Sequence, residues 1–213
     1  MCHRFHIKTP VEDIADVIKA INRCEGRGFQ QDLFPLQEIP IVRHGCEGEY
    51  EVVPSVWSLL HRSWKPNQKF ATWKSFVRKY PTFNARCETI EEKFSFRQSF
   101  QDRRALIPCT GFFEHGQYFG LNDQPTMYFA GLWDRCEVDG EPIDSCTIIT
   151  TRSNQMVGRY HPRQRMPVIL RTPESRELWM DTEAQRDVVN HLFQPTPDDQ
   201  MKRWDAETEA SGQ

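Results

Sequence analysis

Apolar side chains in the first part of the chain recur at the spacing of a helix. Between residues 11 and 21, one helix face is formed by Val11, Ile14, Val17, Ile18 and Ile21. Thr9, Pro10 and Glu12 stand at its start in the order of a capping box, with proline at the first helical position. The pattern predicts a helix that begins at Thr9, ends near Gly26 and packs its apolar face on the core.

Further helical patterns occur in the middle and near the end of the chain. Residues 69–80 place aromatic and apolar side chains on one face and predict a short helix with a basic outer face. Residues 88–101 are expected to form one or two short helices. Threonine caps followed by proline or glutamine predict two final helices, at 172–180 and 182–193.

Short runs of β-branched and aromatic residues, separated by turn residues, predict strands. The expected strands are 39–43, 50–53, 104–108, 111–115, 127–133, 145–151 and 166–170. Short connections, such as the turn at Asp139-Gly140, favour antiparallel pairing. The pattern predicts one α+β domain with mostly antiparallel sheets over residues 1–194, followed by an acidic, flexible tail over residues 195–213.

The charge distribution changes this picture locally. A net charge of −3 argues against a protein that is basic all over its surface. Two long stretches, 56–81 and 152–173, nevertheless contain no Asp or Glu and carry several Lys and Arg residues. Each could be an ordinary solvated face, but together they resemble a groove that follows phosphates and stacks bases on its tryptophans.

Cysteine usage and hydropathy indicate the compartment. The seven cysteines are an odd number and include no Cys-x-x-Cys pair, so we expect free thiols in a reducing cytoplasm. No apolar run approaches the roughly 20 residues of a membrane span, and the N-terminus lacks the apolar region of a signal peptide. We therefore expect no membrane association, and a monomer in the bacterial cytoplasm or nucleoid.

The cysteine at position 2 carries a distinctive chemistry. Methionine aminopeptidases remove Met1 when the next side chain is small, which would leave Cys2 with a free α-amine and a thiol. The reference pKa values of these groups, about 8 and about 8.5, make both partly nucleophilic near neutral pH. Together they can trap an aldehyde as a Schiff base and then close a thiazolidine ring. Taken alone, Cys2 could equally be a chance residue on a frayed terminus.

Four local clusters follow one another along the chain. They are Cys2-His3-Arg4, Asn84-Ala85-Arg86-Cys87-Glu88-Thr89, Gly111-Phe112-Phe113-Glu114-His115, and His161 followed by Arg165-Met166-Pro167-Val168-Ile169-Leu170. This ordered set resembles the SRAP (SOS response-associated peptidase) family of abasic-site processing proteins. His3 and His115 stand where the family has Gly and Trp, and the spacing between His161 and Arg165 is longer.

The resemblance implies a fold, a reaction and a set of catalytic residues. The fold would have a barrel-like core of mostly antiparallel strands with flanking helices. Cys2 would form a covalent thiazolidine cross-link to an abasic site in single-stranded DNA. Glu114 would shuttle protons, His161 would act on the sugar oxygen as acid or base, and Asn84 would orient the N-terminus or the sugar. No cofactor is implied.

The resemblance and the basic stretches also suggest contacts to DNA. Arg4 and Arg86 would hold phosphates beside the lesion, and the predicted DNA-binding set also includes Arg163 and Arg165. Trp57 and Trp64 could wedge or stack bases, although large aromatic side chains more often pack in a core.

Two other interpretations stay open. Cys2, His161 and either Glu114 or Asn84 could form the nucleophile, base and orienting group of a cysteine hydrolase or autopeptidase. The chain could instead bind single-stranded DNA without chemistry. Soft metal ligands also occur close together in two places, Cys2-His3-x-x-His6 and His44-x-Cys46. Neither group has the four-ligand spacing of a zinc site, so no metal is expected.

Overall fold

The computed structural model describes residues 2–24, 26–29 and 31–205. The strands are β1 Phe5–His6, β2 Ile21–Asn22, β3 Asp32–Leu33, β4 Glu38–His44, β5 Tyr50–Trp57, β6 Asn84–Arg86, β7 Arg104–Cys109, β8 Gly111–Glu114, β9 Gln117–Leu121, β10 Met127–Val138, β11 Glu141–Arg152, β12 Arg165–Pro167, β13 Ile169–Leu170 and β14 Met201–Asp205. The α-helices are α1 Val11–Ile18, α2 Trp73–Lys79, α3 Phe94–Asp102, α4 Gln155–Gly158, α5 Pro173–Met180 and α6 Arg186–Val189.

Five strands close into a small barrel. Strands β5, β4, β7, β10 and β11 pair in that order, and all of these neighbours are antiparallel. The ring is completed by a short parallel pairing between β11 and β5, in which Ser145 faces Val56 and Cys146 faces Trp57. Closure leaves these strands without open edges along the paired segments. The predicted α+β domain with a barrel-like core and flanking helices is confirmed.

A second sheet lies across one side of the barrel. Its five strands pair in the order β14, β9, β8, β1 and β3. The central strand β1 has only two residues, but Phe5 is fully buried, and its ring lies 5.0 Å from the ring of Trp57 and 5.9 Å from that of Phe129. Phe5 therefore joins the second sheet to the barrel core, and it sits three residues after Cys2.

Several predicted element boundaries are corrected by tertiary contacts. Helix α1 ends at Ile18, and Ile21 belongs to β2, which pairs with β5. The N-cap is Pro10 without a side-chain cap, because the hydroxyl of Thr9 bonds to that of Thr126. By contrast, α5 has the predicted start, with a capping box formed by Thr172 and Ser175. The last predicted helix is shorter: α6 begins after Gln185 without a side-chain cap and continues as a 3₁₀ helix.

Part of the predicted flexible tail is a strand of the second sheet. Residues 201–205 form β14 and pair with β9, from Met201 opposite Leu121 to Asp205 opposite Gln117. The strand was not predicted because this segment is acidic and polar, and Met201 and Trp204 are its only apolar side chains. The tail prediction is corrected for residues 195–205, and residues 206–213 lie outside the described part of the chain. No helix among the described residues is long and apolar enough to cross a membrane.

Trp204 is expected to stabilise the second sheet. Its ring stacks 5.8 Å from that of Tyr118 and fills the space over two glycines, since a Cβ at Gly111 would lie 2.9 Å from the ring and one at Gly120 3.0 Å. Trp204→Ala should lower the free energy of unfolding by about 2–3 kcal/mol, somewhat less than for a fully buried tryptophan. Urea unfolding measures this loss, and Lys202→Ala, at an exposed side chain of the same strand, should change the free energy of unfolding by under about 0.5 kcal/mol. Equal effects of the two substitutions would contradict the packing role.

Candidate active site

Cys2 is held in place by the carbonyl of Arg4 and by the side chain of Asn84. The carbonyl of Arg4 accepts a hydrogen bond from the backbone N–H of Phe113 (2.9 Å) and one from the Cys2 thiol (3.5 Å). The carbonyl of Cys2 accepts a hydrogen bond from Nδ2 of Asn84 (2.7 Å). The side chain of Cys2 is buried. Residue 2 is therefore fixed although it lies beside the chain terminus, where residues are usually poorly ordered.

Asn84 reaches Cys2 from the strand next to the barrel. It begins β6, which pairs in parallel with β11 and places Asn84 opposite Ile148. With Nδ2 bonded to Cys2, its Oδ1 is buried and has no hydrogen-bond partner among the described residues. Buried acceptors are usually satisfied. An unpartnered amide oxygen beside Cys2 is therefore available for a donor that arrives with a ligand or with a freed amine.

Glu114 ends β8 beside a tight hairpin. His115 and Gly116 connect β8 to β9 with φ values of +44° and +86°, as a two-residue turn with a left-handed backbone requires. The glycine meets this requirement without strain, and His115 is exposed. The turn leaves the carboxyl of Glu114 buried, and its Oε1 has no hydrogen-bond partner among the described residues.

His161 faces Glu114 from the opposite side. It follows helix α4, and its backbone N–H donates to the carbonyl of Val157 (3.0 Å). The backbone N–H of Arg163 donates to Nδ1 of the imidazole (3.0 Å), so the neutral ring carries its proton on Nε2. That Nε2 lies 3.6 Å from Oε1 of Glu114, and both side chains are buried. The imidazole thus points its N–H towards the carboxyl.

Burial is the main influence on the protonation states of Cys2, Glu114 and His161. Burial, and then the nearby Glu114 carboxylate, raise the pKa of the Cys2 thiol well above its usual value. Burial raises the pKa of Glu114 to about 7. Burial lowers the pKa of His161 to about 4. Near neutral pH the site therefore holds a neutral thiol, a carboxyl close to half protonation and a neutral imidazole, so the Glu114–His161 contact is not a pair of full charges.

Two of the predicted DNA-binding arginines are exposed at this site. Arg86 lies two residues after Asn84, at the end of β6, and Arg163 lies two residues after His161. No ion pair joins either side chain to another residue of the described part of the chain within 4.0 Å. Their contact with DNA remains a prediction, which the exposure of both cations favours.

Four other predicted DNA-binding residues are held by contacts with other residues of the protein. Arg165 is buried and donates two hydrogen bonds to Glu88 and one to the carbonyl of Thr150. Its guanidinium is therefore directed away from solvent, which corrects its assignment as a DNA contact. Arg4 is paired with Asp32, through Nε (3.2 Å) and Nη2 (2.9 Å).

The two tryptophans are corrected as well. Trp57 is fully buried in the barrel, and its Nε1–H donates to the carbonyl of Phe83 (2.7 Å). Trp64 is buried in a small satellite core with Leu60 and Val77. Both are structural because a base cannot stack on a ring that is already covered. Asp32 and Tyr118, which both contact the Arg4 side chain, were missed, since neither belongs to a recognisable motif.

The soft ligands near Cys2 and His44 are not joined by further ligands among the residues that the structure describes. Within residues 2–24, 26–29 and 31–205, no three or more His, Cys, Asp or Glu side chains come together as metal ligands would. The seven cysteines are all free thiols, and six of them are buried.

Comparisons with known proteins agree with the site's composition. The family model for SOS response associated peptidase (SRAP) matches residues 1–211. A Bacillus subtilis protein named abasic site processing protein YoqW is 33% identical over 219 residues, which cover 96% of this chain and 91% of the relative. Abasic site processing protein YoaM, from the same species, is 28% identical over 218 residues, with 96% and 90% covered.

Solved structures show the same fold. A protein from Bacteroides thetaiotaomicron superposes with a TM-score of 0.84 at 25% identity, covering 96% of this chain and 91% of that one. A protein from Bordetella bronchiseptica superposes with a TM-score of 0.79 at 22% identity, covering 96% and 99%.

The buried carboxyl and imidazole are expected to give opposite pH dependences of stability. The pKa of Glu114 is raised from 4.5 to about 7 in the folded protein, so the folded state binds more protons between these values and stability falls as pH rises. The pKa of His161 is lowered from 6.5 to about 4, so the unfolded chain binds the extra proton and stability falls as pH drops through that window.

Glu114→Gln should therefore leave the free energy of unfolding nearly unchanged at pH 4 and raise it at pH 8, by of order 2 kcal/mol. Urea unfolding at pH 4, 6 and 8 measures the difference. Glu92→Gln, on an exposed carboxyl, is the matched control and should follow the wild type throughout. A Glu114→Gln curve parallel to the wild type from pH 4 to 8 would show that the carboxyl is ionised in the folded protein.

Proposed function

Because this chain belongs to the SOS response associated peptidase (SRAP) family, we propose that it processes abasic sites in DNA by capturing them covalently at Cys2. Relatives that cover nearly the whole chain are named abasic site processing proteins. The observation that carries the proposal is the enclosure of Cys2 by Asn84, Glu114 and His161, three side chains from separate parts of the sequence. Only a cysteine at the chain terminus presents both an amine and a thiol to one carbonyl.

The reaction is balanced without an oxidant or a cofactor. Removal of Met1 by hydrolysis frees the α-amine of Cys2. The amine adds to the aldehyde of an opened abasic sugar, and loss of water from this adduct gives an imine. The thiol then adds to the imine carbon, forming the S–C bond, and its proton passes to the imine nitrogen. The product is a thiazolidine that joins protein and DNA.

Glu114 has the protonation behaviour that these steps need. A general acid or base works best when its pKa lies near the working pH, and that of Glu114 is raised to about 7. The carboxyl would take a proton from the attacking amine and return one to the departing water. Its buried Oε1 has no hydrogen-bond partner in the described part of the chain and is open to such a donor.

His161 and Asn84 would assist from either side. The neutral imidazole carries its proton on Nε2, the atom nearest Glu114, and can donate it to the sugar oxygen as the ring opens. Asn84 already holds the Cys2 carbonyl with its Nδ2, and its Oδ1 can accept from the freed amine.

DNA would be bound in the single-stranded form. For an abasic nucleotide to enter a buried site, the neighbouring bases must be separated from one another. This separation costs less free energy in a single strand than in a duplex. Arg86 and Arg163 would hold the flanking phosphates, so binding should weaken steeply as salt rises. Their exposure beside Asn84 and His161 supports this arrangement.

The geometry favours capture over a cysteine hydrolase. A hydrolase of this kind uses a thiolate next to a histidine. Here the pKa of Cys2 is raised, the thiol donates to the Arg4 carbonyl, and Nε2 of His161 is directed towards Glu114. Ring closure does not require a preformed thiolate, because the imine nitrogen takes the thiol proton as the S–C bond forms.

Substitutions at the N-terminus test the capture mechanism. Wild-type protein with Met1 removed should form an adduct on an abasic single-stranded oligonucleotide that survives boiling in detergent. Cys2→Ser and Cys2→Ala keep the amine, so they should form only a reversible Schiff base, which appears on a denaturing gel after borohydride reduction. An uncleavable residue placed before Cys2 should abolish both adducts although the thiol remains.

The controls separate the alternatives. Intact-mass spectrometry confirms the state of the N-terminus, and the same oligonucleotide fully paired should react less. Non-catalytic DNA binding predicts no covalent band with any variant. A heat-stable adduct from protein with an extended N-terminus would falsify the thiazolidine mechanism.

Two substitutions should distinguish effects on the cross-linking rate from effects on DNA affinity. Glu114→Gln removes the proton shuttle but little charge, so cross-linking should slow about 10²–10⁴-fold while DNA affinity stays nearly constant. Arg86→Ala should weaken affinity and lower the slope of log affinity against log salt by about 0.7, the share of one phosphate contact in a single strand. Filter binding and single-turnover cross-linking measure the two effects. Similar behaviour of both variants in both assays would refute these roles.

A further inference from the structure

Groups from three strands contact the side chain of Arg4, which is 27% exposed. Its guanidinium forms a two-point pair with the carboxylate of Asp32, through Nε (3.2 Å) and Nη2 (2.9 Å). It also lies 4.5 Å from the ring centroid of Phe113 and 5.3 Å from that of Tyr118. Two-point arginine–carboxylate pairs are among the stronger and more directional hydrogen-bonded contacts in proteins. Aromatic faces add attraction for the same cation.

The carboxylate that holds Arg4 is itself fixed. The hydroxyl of Tyr118 donates to Oδ1 of Asp32 (2.6 Å). Asp32 lies on β3, directly opposite His6 of β1. The ring of Tyr118 stacks on that of His6 (4.5 Å) and on that of Trp204 (5.8 Å). The position of the guanidinium is therefore set by the second sheet and not by a flexible surface loop.

The backbone of Arg4 in turn fixes Cys2. Its carbonyl receives the Cys2 thiol and the N–H of Phe113. A side chain that cannot rotate away keeps this carbonyl in place, two residues along the chain from the reacting amine and thiol. In reactions between bound groups, a displacement of about 1 Å can slow the chemistry by about 10²-fold.

We propose that Asp32 and Tyr118 clamp Arg4 as a positioning residue for Cys2, so that Arg4 does not serve as a phosphate contact. The proposal rests on covalent capture as the function and assigns roles to two residues outside every motif. An arginine that binds phosphate must offer its donors to the ligand, whereas Arg4 has two of them committed to Asp32. A carboxylate beside that guanidinium also repels a phosphate.

The other cations of the site have the opposite arrangement. Arg86 and Arg163 are exposed, and neither has a carboxylate within ion-pair distance in the part of the chain that the structure describes. Burial raises the pKa of Asp32, but the hydrogen bonds from Arg4 and Tyr118 outweigh it and lower that pKa overall. The clamp therefore stays ionised at the pH of the reaction, and phosphate binding is left to the unpaired arginines.

Asp32→Ala tests the clamp through the split between rate and affinity. At saturating abasic single-stranded DNA, its cross-linking rate should fall about tenfold, because Cys2 is no longer held. The DNA concentration for half-maximal rate and the salt slope should match the wild type. Arg4→Ala should show the same rate loss, and the double variant Asp32→Ala/Arg4→Ala should be no slower than the slower single variant. Glu38→Ala, which breaks the exposed Arg27–Glu38 pair, is the control and should change nothing.

A phosphate contact by Arg4 would give a different pattern of affinity and salt dependence. If Arg4 contacts a phosphate, removal of Asp32 frees it, so affinity rises and the salt slope steepens, while Arg4→Ala makes the slope shallower by about 0.7. That outcome would overturn the clamp. Thermal melting of each variant, with Tyr118→Phe as a milder substitution that removes only the hydroxyl, separates a local effect from loss of the fold.

A measurement without DNA tests the clamp independently of covalent capture. A cyanobenzothiazole condenses with a terminal cysteine through its amine and thiol together, and so reports how accessible Cys2 is after Met1 removal. Labelling should be faster in Asp32→Ala and Tyr118→Phe than in the wild type and Glu38→Ala. If the wild type fails to cross-link abasic DNA but labelling follows this order, covalent capture is wrong and the clamp stands. If cross-linking occurs and labelling is equal in all four proteins, the clamp is wrong.

Discussion

The burial of Phe5 is the contact on which the site depends. A chain terminus gains little from local structure and loses conformational freedom when it is ordered. Strand β1 has only two residues, yet it lies between β3 and β8, and the ring of Phe5 enters the barrel core beside Trp57 and Phe129. This anchor holds the first residues against the sheet, so Cys2 has a defined position although it is next to the end of the chain.

The segments around the barrel supply the second requirement, a buried site for the side chains beside Cys2. Asn84 comes from a strand added in parallel to β11, Glu114 from the end of β8, and His161 from the loop after α4. Burial, the largest cause in both cases, moves the pKa values of Glu114 and His161 in opposite directions, so that both side chains favour their neutral forms. Two buried acceptor atoms, Oδ1 of Asn84 and Oε1 of Glu114, have no hydrogen-bond partner in the described chain. Such groups reduce stability, and their concentration around Cys2 is typical of a site shaped for a reaction.

The arginines show that residue type does not decide a role. Arg86 and Arg163 are exposed, while Arg165 is held by Glu88 and Arg4 by Asp32. The difference lies in whether a carboxylate from a distant part of the chain reaches the guanidinium. In the proposed function, the fixed arginines define the shape of the site and the exposed ones attract the DNA strand.

The amino-acid sequence by itself determined the α+β class, most strand positions, the capped start of α5 and the chemistry open to Cys2, because these depend on local period, turn residues and functional groups. Closure of the barrel through β5 and β11, the strand β14 and the short length of α1 were decided by tertiary structure, since each requires a partner far along the chain. The same distinction applies to the residues of the site. Motifs identified Asn84, Glu114 and His161 as candidates, but only the folded chain brought them to Cys2, covered Trp57 and Trp64, and paired Arg4 with Asp32, 28 residues away.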